Sequence, residues 1–136
     1  MISYRSGNDL EVAEAIELYE ASTLGARRPV KDPERMAAML SNANILITAW
    51  DGKLLVGISR ALSDFSYVTY LSDLAVRASH QRRGIGKELI RRTQQEGGPK
   101  TRLILLAAPA AAEYYVHIGF QHHPRAWMLE PGETVR

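Results

Sequence analysis

The chain has 136 residues, a formal net charge of +2 and no cysteine. Domains commonly run ~100–200 residues, so we expect a single domain over residues 1–136. Without cysteine, disulfide scaffolds, thiolate metal sites and cysteine nucleophiles are excluded. The composition, 46% hydrophobic and 24% charged, is that of a globular protein and excludes disorder and collagen-like repeats.

No segment of the sequence is predicted to enter a membrane. The longest nearly apolar run, Leu103 to Ala112, contains Pro109 and is well short of the ~18 residues that span a bilayer. The N-terminus MISYRSGNDL lacks a basic stretch followed by an apolar core, so no secretory signal is predicted. We therefore expect a cytoplasmic protein with no membrane partner.

The positive charge is concentrated in one short segment. Residues 80–102 hold seven Lys/Arg against two Asp/Glu, whereas residues 1–79 hold eight against ten. A compact polyanion such as a phosphorylated cofactor suits this distribution. A solvated basic helix face is the simpler alternative.

The first third of the chain predicts a short strand and two helices. Ile2–Arg5 is the strand, and Asn8 or Asp9 can cap a first helix. The apolar residues of that helix recur at helical spacing: Val12, Ile16 and Tyr19. The second helix begins at Asp32-Pro33, a capping residue followed by a proline at the first helical position. Its apolar face comprises Met36, Met39 and Leu40.

The middle of the chain predicts a hairpin and a further strand. Ile45–Trp50 and Lys53–Leu62 flank Asp51-Gly52, and an Asp-Gly pair supplies the positive φ angles of a tight two-residue turn. Val68–Val76 is the next strand.

A crossover unit follows, made of strand, basic helix and strand. The inner face of the helix is predicted to hold Ile85, Leu89, Ile90 and Thr93, and the helix ends at Gly97-Gly98-Pro99. Leu103–Ala107 is a continuous apolar run, as expected for a strand covered on both faces. Because a helix separates it from Val68–Val76, these two strands should be parallel.

The C-terminal part predicts a helix over Pro109–Ile118, ended by Gly119, and a last strand over Ala126–Leu129. Taken together, the elements predict an α/β (α+β) fold. Its mixed sheet has antiparallel N-terminal strands and a parallel pair, flanked by helices.

The segment His80–Lys87, which reads HQRRGIGK, lies between a strand and an amphipathic helix. Its glycines let successive backbone N–H groups point into one concavity, and the helix dipole adds partial positive charge there. Three side chains add formal charge at the same end: Arg82, Arg83 and Lys87. The sequence therefore predicts an anion site.

Other motifs with similar glycine spacing fit less well. A P-loop needs a glycine where Gln81 stands and Ser/Thr where Glu88 stands. The dinucleotide fingerprint needs a third glycine where Leu89 stands. A DNA-recognition helix is the remaining alternative, weakened by the acidic balance elsewhere and by the lack of a second helix packed just before it. We expect no nucleic-acid partner.

With these residues, the sequence resembles the GNAT superfamily of acetyl-CoA-dependent N-acetyltransferases. The family signature Gln/Arg-x-x-Gly-x-Gly/Ala matches Gln81-Arg82-Arg83-Gly84-Ile85-Gly86, after a strand that ends Leu74-Ala75-Val76. A second element, a tyrosine on a helix shortly before Gly-Phe, matches Tyr115 and Gly119-Phe120. The order of elements also agrees, so the resemblance covers essentially the whole chain.

The resemblance implies that acetyl-CoA is the co-substrate and enters where the two parallel strands splay apart. Backbone N–H groups from Arg82 to Lys87 would hold the diphosphate, and Leu74 and Val76 would pair with the pantetheine arm. The backbone N–H of Leu74 would also face the thioester carbonyl as the oxyanion donor. The implied cofactor-binding residues are Leu74, Ala75, Val76, Gln81, Arg82, Arg83, Gly84, Ile85, Gly86 and Lys87.

The resemblance also implies the catalytic groups. Tyr115 is the candidate acid that protonates the departing thiolate, with a core tyrosine as the alternative interpretation. The strand before the glycine turn lacks the glutamate that several family members use as a base. Asp73 is the nearest carboxylate, a candidate base or a group that orients the ammonium, and a structural aspartate is an equally good interpretation.

Acceptor binding in the family falls near the loop between the first two helices and near the end of the hairpin. Asp73 and Asp64 are our acceptor-binding candidates. Three arginines lie in the same regions and are more often solvated charges: Arg27, Arg28 and Arg60. We predict no metal site, because His117, His122 and His123 lack helical i, i+4 spacing and no cysteine supports them.

The predicted function is direct transfer of an acetyl group from acetyl-CoA to a primary amine of a small molecule, within a ternary complex. A protein or peptide N-acetyltransferase is the related alternative. A non-catalytic acetyl-CoA-binding sensor is the alternative from another class. Dimers are frequent in the family, so a homodimer is the candidate assembly.

Overall fold

The computed structural model describes all residues, 1–136, which divide into two units, Met1–Leu106 and Ala107–Arg136. The first unit contains eight main elements, which are, in chain order, β1 (Ile2–Ser6), α1 (Val12–Glu20), α2 (Pro33–Asn42), β2 (Ile45–Asp51), β3 (Leu54–Ser63), β4 (Val68–Val76), α3 (Ile85–Gly97) and β5 (Arg102–Leu105). Short 3-10 turns cover Thr23–Arg27 and Ala78–His80. None of the helices combines the length and apolarity needed to cross a membrane.

The five strands form one sheet in the order β1-β2-β3-β4-β5. Neighbours from β1 to β4 are antiparallel, and β4 and β5 are parallel. The predicted mixed sheet is confirmed, with the first strand at one edge. The α1–α2 pair covers one face of the sheet, and α3 covers the other.

The helices α2 and α3 bury the faces that their periodicity predicts. In α1 only Tyr19 of the predicted face is fully buried, and Val12 and Ile16 are partly buried. In α2, Met36 and Leu40 are buried and Met39 is partly buried, in a cluster that includes Ile58 of β3 and Ala75 of β4. In α3, the four predicted inner residues are all buried: Ile85, Leu89, Ile90 and Thr93. The buried hydroxyl of Thr93 bonds to that of Ser59 at 2.6 Å, so the one polar residue of this face has a partner.

The two helix starts differ in how well the sequence predicts them. Asp32 caps α2 as predicted, with its Oδ1 accepting the N–H of Arg35 at 3.1 Å. The predicted cap of α1 at Asn8 or Asp9 is wrong, because the N-cap residue is Glu11 and its side chain forms no capping bond. The Asn8 amide instead donates to the carbonyl oxygens of Ser41 and Ala43 at the end of α2.

The hairpin turn lies one residue later than predicted. Asp51 pairs with Leu54 in the ladder, so the two turn residues are Gly52 and Lys53. Gly52 has φ +60°, whereas Asp51 is the last residue of β2. The side chain of Asp51 is thereby free to contact the segment that precedes α3.

The prediction that the last strand is covered on both faces is wrong. The strand β5 is short, lies at the sheet edge and alternates between exposed and half-buried residues. Ile104 is 44% exposed. An apolar run indicates a buried strand only when both faces receive a covering element, and the run alone does not reveal its neighbours.

The second unit contains a 3-10 turn over Pro109–Ala111 and a one-turn helix, α4 (Tyr114–His117). The predicted helix over Pro109–Ile118 is therefore two short pieces, and Gly119 follows them with φ +104°. The predicted strand Ala126–Leu129 is wrong, because these residues have no regular secondary structure. No strand pairs with them, and Trp127 is 94% exposed.

Candidate active site

The loop before α3 leaves six consecutive backbone N–H groups, from Arg82 to Lys87, without a protein acceptor. The first bond of the helix is donated by the N–H of Glu88 to the carbonyl oxygen of Gly84. The first amides of a helix have no intrahelical acceptor, and they carry the positive end of its dipole. This loop is therefore equipped to bind an anion through its main chain.

The loop backbone is curved by two residues in the left-handed region. Arg82 has φ +63° and Gly84 has φ +82°. Gly84 adopts this conformation without steric cost, whereas at Arg82 it costs about 1–3 kcal/mol. Such alternation turns successive N–H groups towards one concavity. Gly86 has an ordinary φ, and a Cβ added there would meet only Val76 Cγ2, at 3.7 Å.

Unpaired positive charge lies at the same end of α3. Farther along the helix, Arg91 and Arg92 both pair with Glu88, which lowers the pKa of Glu88 to about 2. Three cations near the free amides pair with no carboxylate: Arg82, Arg83 and Lys87. The charge of the basic segment is thus concentrated where the amides can bind an anion.

Three side-chain contacts hold the start of this loop. His80 is buried, and its Nε2 lies 2.9 Å from Oδ2 of Asp51 at the hairpin, while its Nδ1 lies 2.8 Å from Oγ of Ser79. The side-chain amide of Gln81 donates to the carbonyl oxygen of Val76 at 3.0 Å. Gln81 therefore attaches the loop to the end of β4.

The strands β4 and β5 separate at the middle of β4. Their paired residues run from Val68–Arg102 to Leu71–Leu105 and then stop, while β4 stays paired with β3 as far as Val76. The splayed parallel pair that the resemblance implied is thus present. One side of β4 has no strand beside it from Ser72 onwards.

The backbone direction in β4 places two of the predicted residues along this open side. The N–H of Arg77 donates to Val56 of β3, and successive N–H groups of a strand point to alternate sides. The N–H groups of Leu74 and Val76 therefore point away from β3, towards the side that β5 vacates. The role of Leu74 as the oxyanion donor stays a prediction.

A β-bulge lies beside this position. Arg60 pairs with Asp73 and the next residue, Ala61, pairs with Leu71, so Ser72 is an extra residue in β4. Thr69 faces α3, since its hydroxyl lies against Gly97. In a regular strand, the Asp73 side chain would lie on the same face as that of Thr69. The bulge turns the Asp73 side chain to the opposite face, where Tyr19 of α1 lies.

The Asp73 carboxylate is fully buried and its acceptor sites are all occupied. Oδ2 accepts from Tyr19 Oη and Arg60 Nε, both at 2.6 Å. Oδ1 accepts from Arg28 Nε at 2.5 Å and from Ser72 Oγ at 3.3 Å. A carboxylate has about four lone-pair sites, so none remains for an incoming proton donor. We call these five residues the Asp73 cluster.

The charge state of Asp73 agrees with this count. Burial by itself raises the pKa of a carboxyl, but the hydrogen bond and charge of Arg60, together with Tyr19 and Arg28, hold the pKa of Asp73 below its usual value. Of the two interpretations left open by the sequence, these contacts favour a structural aspartate over a base.

Asp64, the other acceptor candidate, lies at the far end of β4. Its Oδ1 accepts the backbone N–H groups of Ser66, Tyr67 and Val68 at 2.7–3.0 Å, and these bonds lower the pKa of Asp64. Six strand residues, about 20 Å, separate Val68 from Leu74. The structure therefore does not bring Asp64 together with the other predicted residues.

Sequence reasoning treated Arg28 and Arg60 as solvated charges and missed that they bind Asp73. The three residues are far apart in sequence and have no periodic relationship. The one local signal is Gly25, which marks a close approach of this loop to α1 but does not indicate the contact with Asp73. A Cβ at Gly25 would lie 2.6 Å from the carbonyl oxygen of Tyr19, so only glycine lets the turn before Arg28 pack against α1.

In the second unit, Tyr115 lies in α4 and forms one local structure with Phe120. The rings are 5.4 Å apart at 75°, and the N–H of Phe120 donates to the carbonyl oxygen of Tyr115 at 2.9 Å. Burial, together with neighbouring Tyr114, raises the pKa of Tyr115 above its ordinary value. The hydroxyl therefore stays protonated at neutral pH.

A family model described as an acetyltransferase (GNAT) domain matches residues 17–127. The chain belongs to the GNAT acetyltransferase family. The predicted family and fold class are thereby confirmed.

Curated relatives and solved structures agree with this assignment. The chain is 27% identical over 139 residues to a histone acetyltransferase of Glycine max, with 90% of the chain and 57% of that protein covered. It spans a little over half the length of the curated relatives it matches. An aminoglycoside N-acetyltransferase in complex with CoA superposes with a TM-score of 0.75 at 18% identity, covering 97% of this chain and 95% of the other. A GNAT-family acetyltransferase from Streptococcus pneumoniae superposes with a TM-score of 0.72 at 23% identity. The match covers 95% of this chain and 98% of the other.

Proposed function

We propose that this GNAT acetyltransferase transfers an acetyl group from acetyl-CoA directly to a primary amine of a small molecule, within a ternary complex. The observation that carries the proposal is the row of six free amides, Arg82 to Lys87, beside the open side of β4. A diphosphate accepts hydrogen bonds from such amides. The amide-containing pantetheine arm can pair with the N–H groups of Leu74 and Val76, as an added strand would.

The acetyl group passes directly from the sulfur of acetyl-CoA to the nitrogen of the amine. The amine nitrogen attacks the thioester carbonyl carbon, a C–N bond forms, and the C–S bond then breaks. We assign the N–H of Leu74 to the oxyanion that forms on the carbonyl oxygen. In other acyl-transfer enzymes, removing such a donor costs roughly 3–4 kcal/mol.

Two protons also move during the reaction. We assign the hydroxyl of Tyr115 as the acid that protonates the departing thiolate, whose conjugate thiol has a pKa of about 8.5. The tyrosinate that remains is reprotonated from water. The proton of the attacking amine passes to water, because the Asp73 carboxylate has no free acceptor site. Much of the remaining acceleration comes from holding the two substrates in line.

A small-molecule acceptor is supported by the structural relative that is named as an aminoglycoside N-acetyltransferase. One observation favours a second candidate, a protein or peptide acceptor: a sequence relative is named as a histone acetyltransferase. A sensor that binds acetyl-CoA without turnover is the third candidate.

The experiment that tests the proposal is thiol release from acetyl-CoA with two panels of acceptors. One panel holds small primary amines, and the other holds lysine-containing peptides. We expect turnover with small amines, and mass spectrometry should show the acetylated amine. Turnover confined to peptides would establish the second candidate. Acetyl-CoA binding without any turnover would establish the sensor.

A further inference from the structure

The Asp73 cluster holds one more positive charge than negative. Two guanidinium groups, Arg28 and Arg60, share the single carboxylate of Asp73, and neither pairs with another acid. The other members, Tyr19 and Ser72, are neutral. Charge removed from water is costly unless it is paired, so this excess favours an anion beside the cluster.

Arg28 is the arginine that an outside molecule can reach. Its side chain is 24% exposed, whereas that of Arg60 is 9% exposed. Arg28 donates one N–H each to Asp73, to the carbonyl oxygen of Arg27 and to that of Ser72. A guanidinium has five N–H donors, so two remain after these three bonds.

The position of Arg28 connects it with the proposed chemistry. It bonds to the carbonyl oxygen of Ser72 at 2.7 Å, and Ser72 precedes Leu74 by two residues in β4. Two strand residues span about 7 Å. One small molecule can therefore contact Arg28 while its amine meets an acetyl group bound at Leu74.

We infer that the acceptor is an amino-carboxylate, an amino acid or a close derivative, whose carboxylate binds the free donors of Arg28 beside the reacting amine. The inference rests on the proposed function. The planar fork of an arginine matches a carboxylate and can bind it with two parallel bonds. A polycationic acceptor meets an excess positive charge at the same position and is disfavoured.

The remaining residues of the cluster position Arg28. Asp73 receives its Nε–H, and the carbonyl oxygens of Arg27 and Ser72 receive one terminal N–H each, so the guanidinium plane is fixed before a ligand binds. Arg60 and Tyr19 in turn hold Asp73. A preorganised donor loses less conformational freedom on binding than a mobile one.

The test compares matched acceptors in the thiol-release assay. Each set contains an amino acid, its carboxamide and its decarboxylated amine, so that the side chain is constant. We expect wild-type kcat/KM to favour the carboxylate member by about 10-fold or more, the size expected of a charge-assisted bond. Arg28→Gln should remove this preference, chiefly through a higher KM for the carboxylate member.

The neighbouring Arg27 offers a matched control, because it is exposed and its side chain lies outside the Asp73 cluster. Arg27→Gln should keep the preference. Arg28→Lys, which retains the charge without the fork, should keep part of it. Thermal unfolding and acetyl-CoA binding of each variant show whether a loss reflects the acceptor site or the fold.

The outcomes separate this inference from the proposed function. Wild-type turnover that favours the carboxamides, the decarboxylated amines or polyamines overturns the inference and leaves small-molecule acetylation standing. If Arg28→Gln lowers kcat/KM equally for all members of a set, the inference is also overturned, because Arg28 then has only a structural role. No turnover with any small amine defeats both.

Discussion

The hydroxyl of Tyr19 donates a 2.6 Å hydrogen bond to Oδ2 of Asp73, across 54 positions of sequence. Both side chains are fully buried. This bond joins α1 to β4 at the bulge, immediately before Leu74. The contacts that complete the core on this face therefore also fix the backbone on which the proposed acetyl transfer depends.

Replacing the carboxylate tests this connection. Asp73→Asn leaves Arg28 and Arg60 without their counter-ion, and breaking a buried ion pair on one side typically costs about 3–5 kcal/mol. We expect a decrease of that size in the free energy of unfolding, measured in urea at neutral pH. The control Asp64→Asn, at an exposed carboxylate, should cost less than about 1 kcal/mol. Equal effects of the two variants would contradict the cluster's role.

The stability difference between wild type and Asp73→Asn should also change with pH in one direction. The folded-state pKa of Asp73 lies below its unfolded value, so its contribution is present above about pH 4 and is lost as pH falls through the folded pKa. The difference in stability between wild type and Asp73→Asn should therefore be constant near neutrality and decrease in acid. A difference that instead grew on acidification would show that the pKa of Asp73 is raised.

Tyr115→Phe tests the proposed acid. Removing a general acid lowers turnover by about 10²-fold or more, and the missing hydroxyl should leave the dissociation constant of acetyl-CoA unchanged. Tyr114→Phe is the matched control, since Tyr114 precedes it in α4 and is more exposed. Unchanged kcat in Tyr115→Phe would remove this residue from the mechanism.

Two glycines of the loop should respond differently to valine. At Gly84, with φ +82°, a β-branched residue is strained, so Gly84→Val should lower stability by about 1–3 kcal/mol and weaken acetyl-CoA binding. At Gly86 the φ angle is ordinary and the protein has room for a Cβ, so Gly86→Val should lower stability less than Gly84→Val does. The added side chain stands among the free amides, and we expect at least about 10-fold weaker binding.

Calorimetric titration with acetyl-CoA and thermal unfolding of the two valine variants separate these effects. A Gly86→Val protein that binds acetyl-CoA as wild type does would place the anion site elsewhere.

Local patterns predicted much of the fold. The extent of β4, the buried face of α3 and the cap of α2 at Asp32 follow from periodicity and capping chemistry, which act over a few residues. The loop from Arg82 to Lys87 was predictable for the same reason, since its glycines and cations are contiguous. Its free amides are what that local pattern requires.

Features that depend on distant neighbours were not predictable. The exposure of Ile104 depends on which element covers the sheet edge, and the strand predicted at Ala126–Leu129 has no partner strand. The bulge at Ser72 reverses the face expected for Asp73, and no spacing in the sequence indicates it. The contact of Arg28 with Asp73 follows from that reversal.

Binding of a diphosphate by the loop can be observed at the amides themselves, in an NMR titration that follows Arg82 to Lys87 as CoA is added. If these amides hold the diphosphate, their signals should shift and become protected from solvent exchange at saturation. Pantetheine, which lacks the diphosphate, should leave the chemical shifts of these amides unchanged. Loop signals that stay unmoved while other residues respond to CoA would show that the diphosphate binds elsewhere.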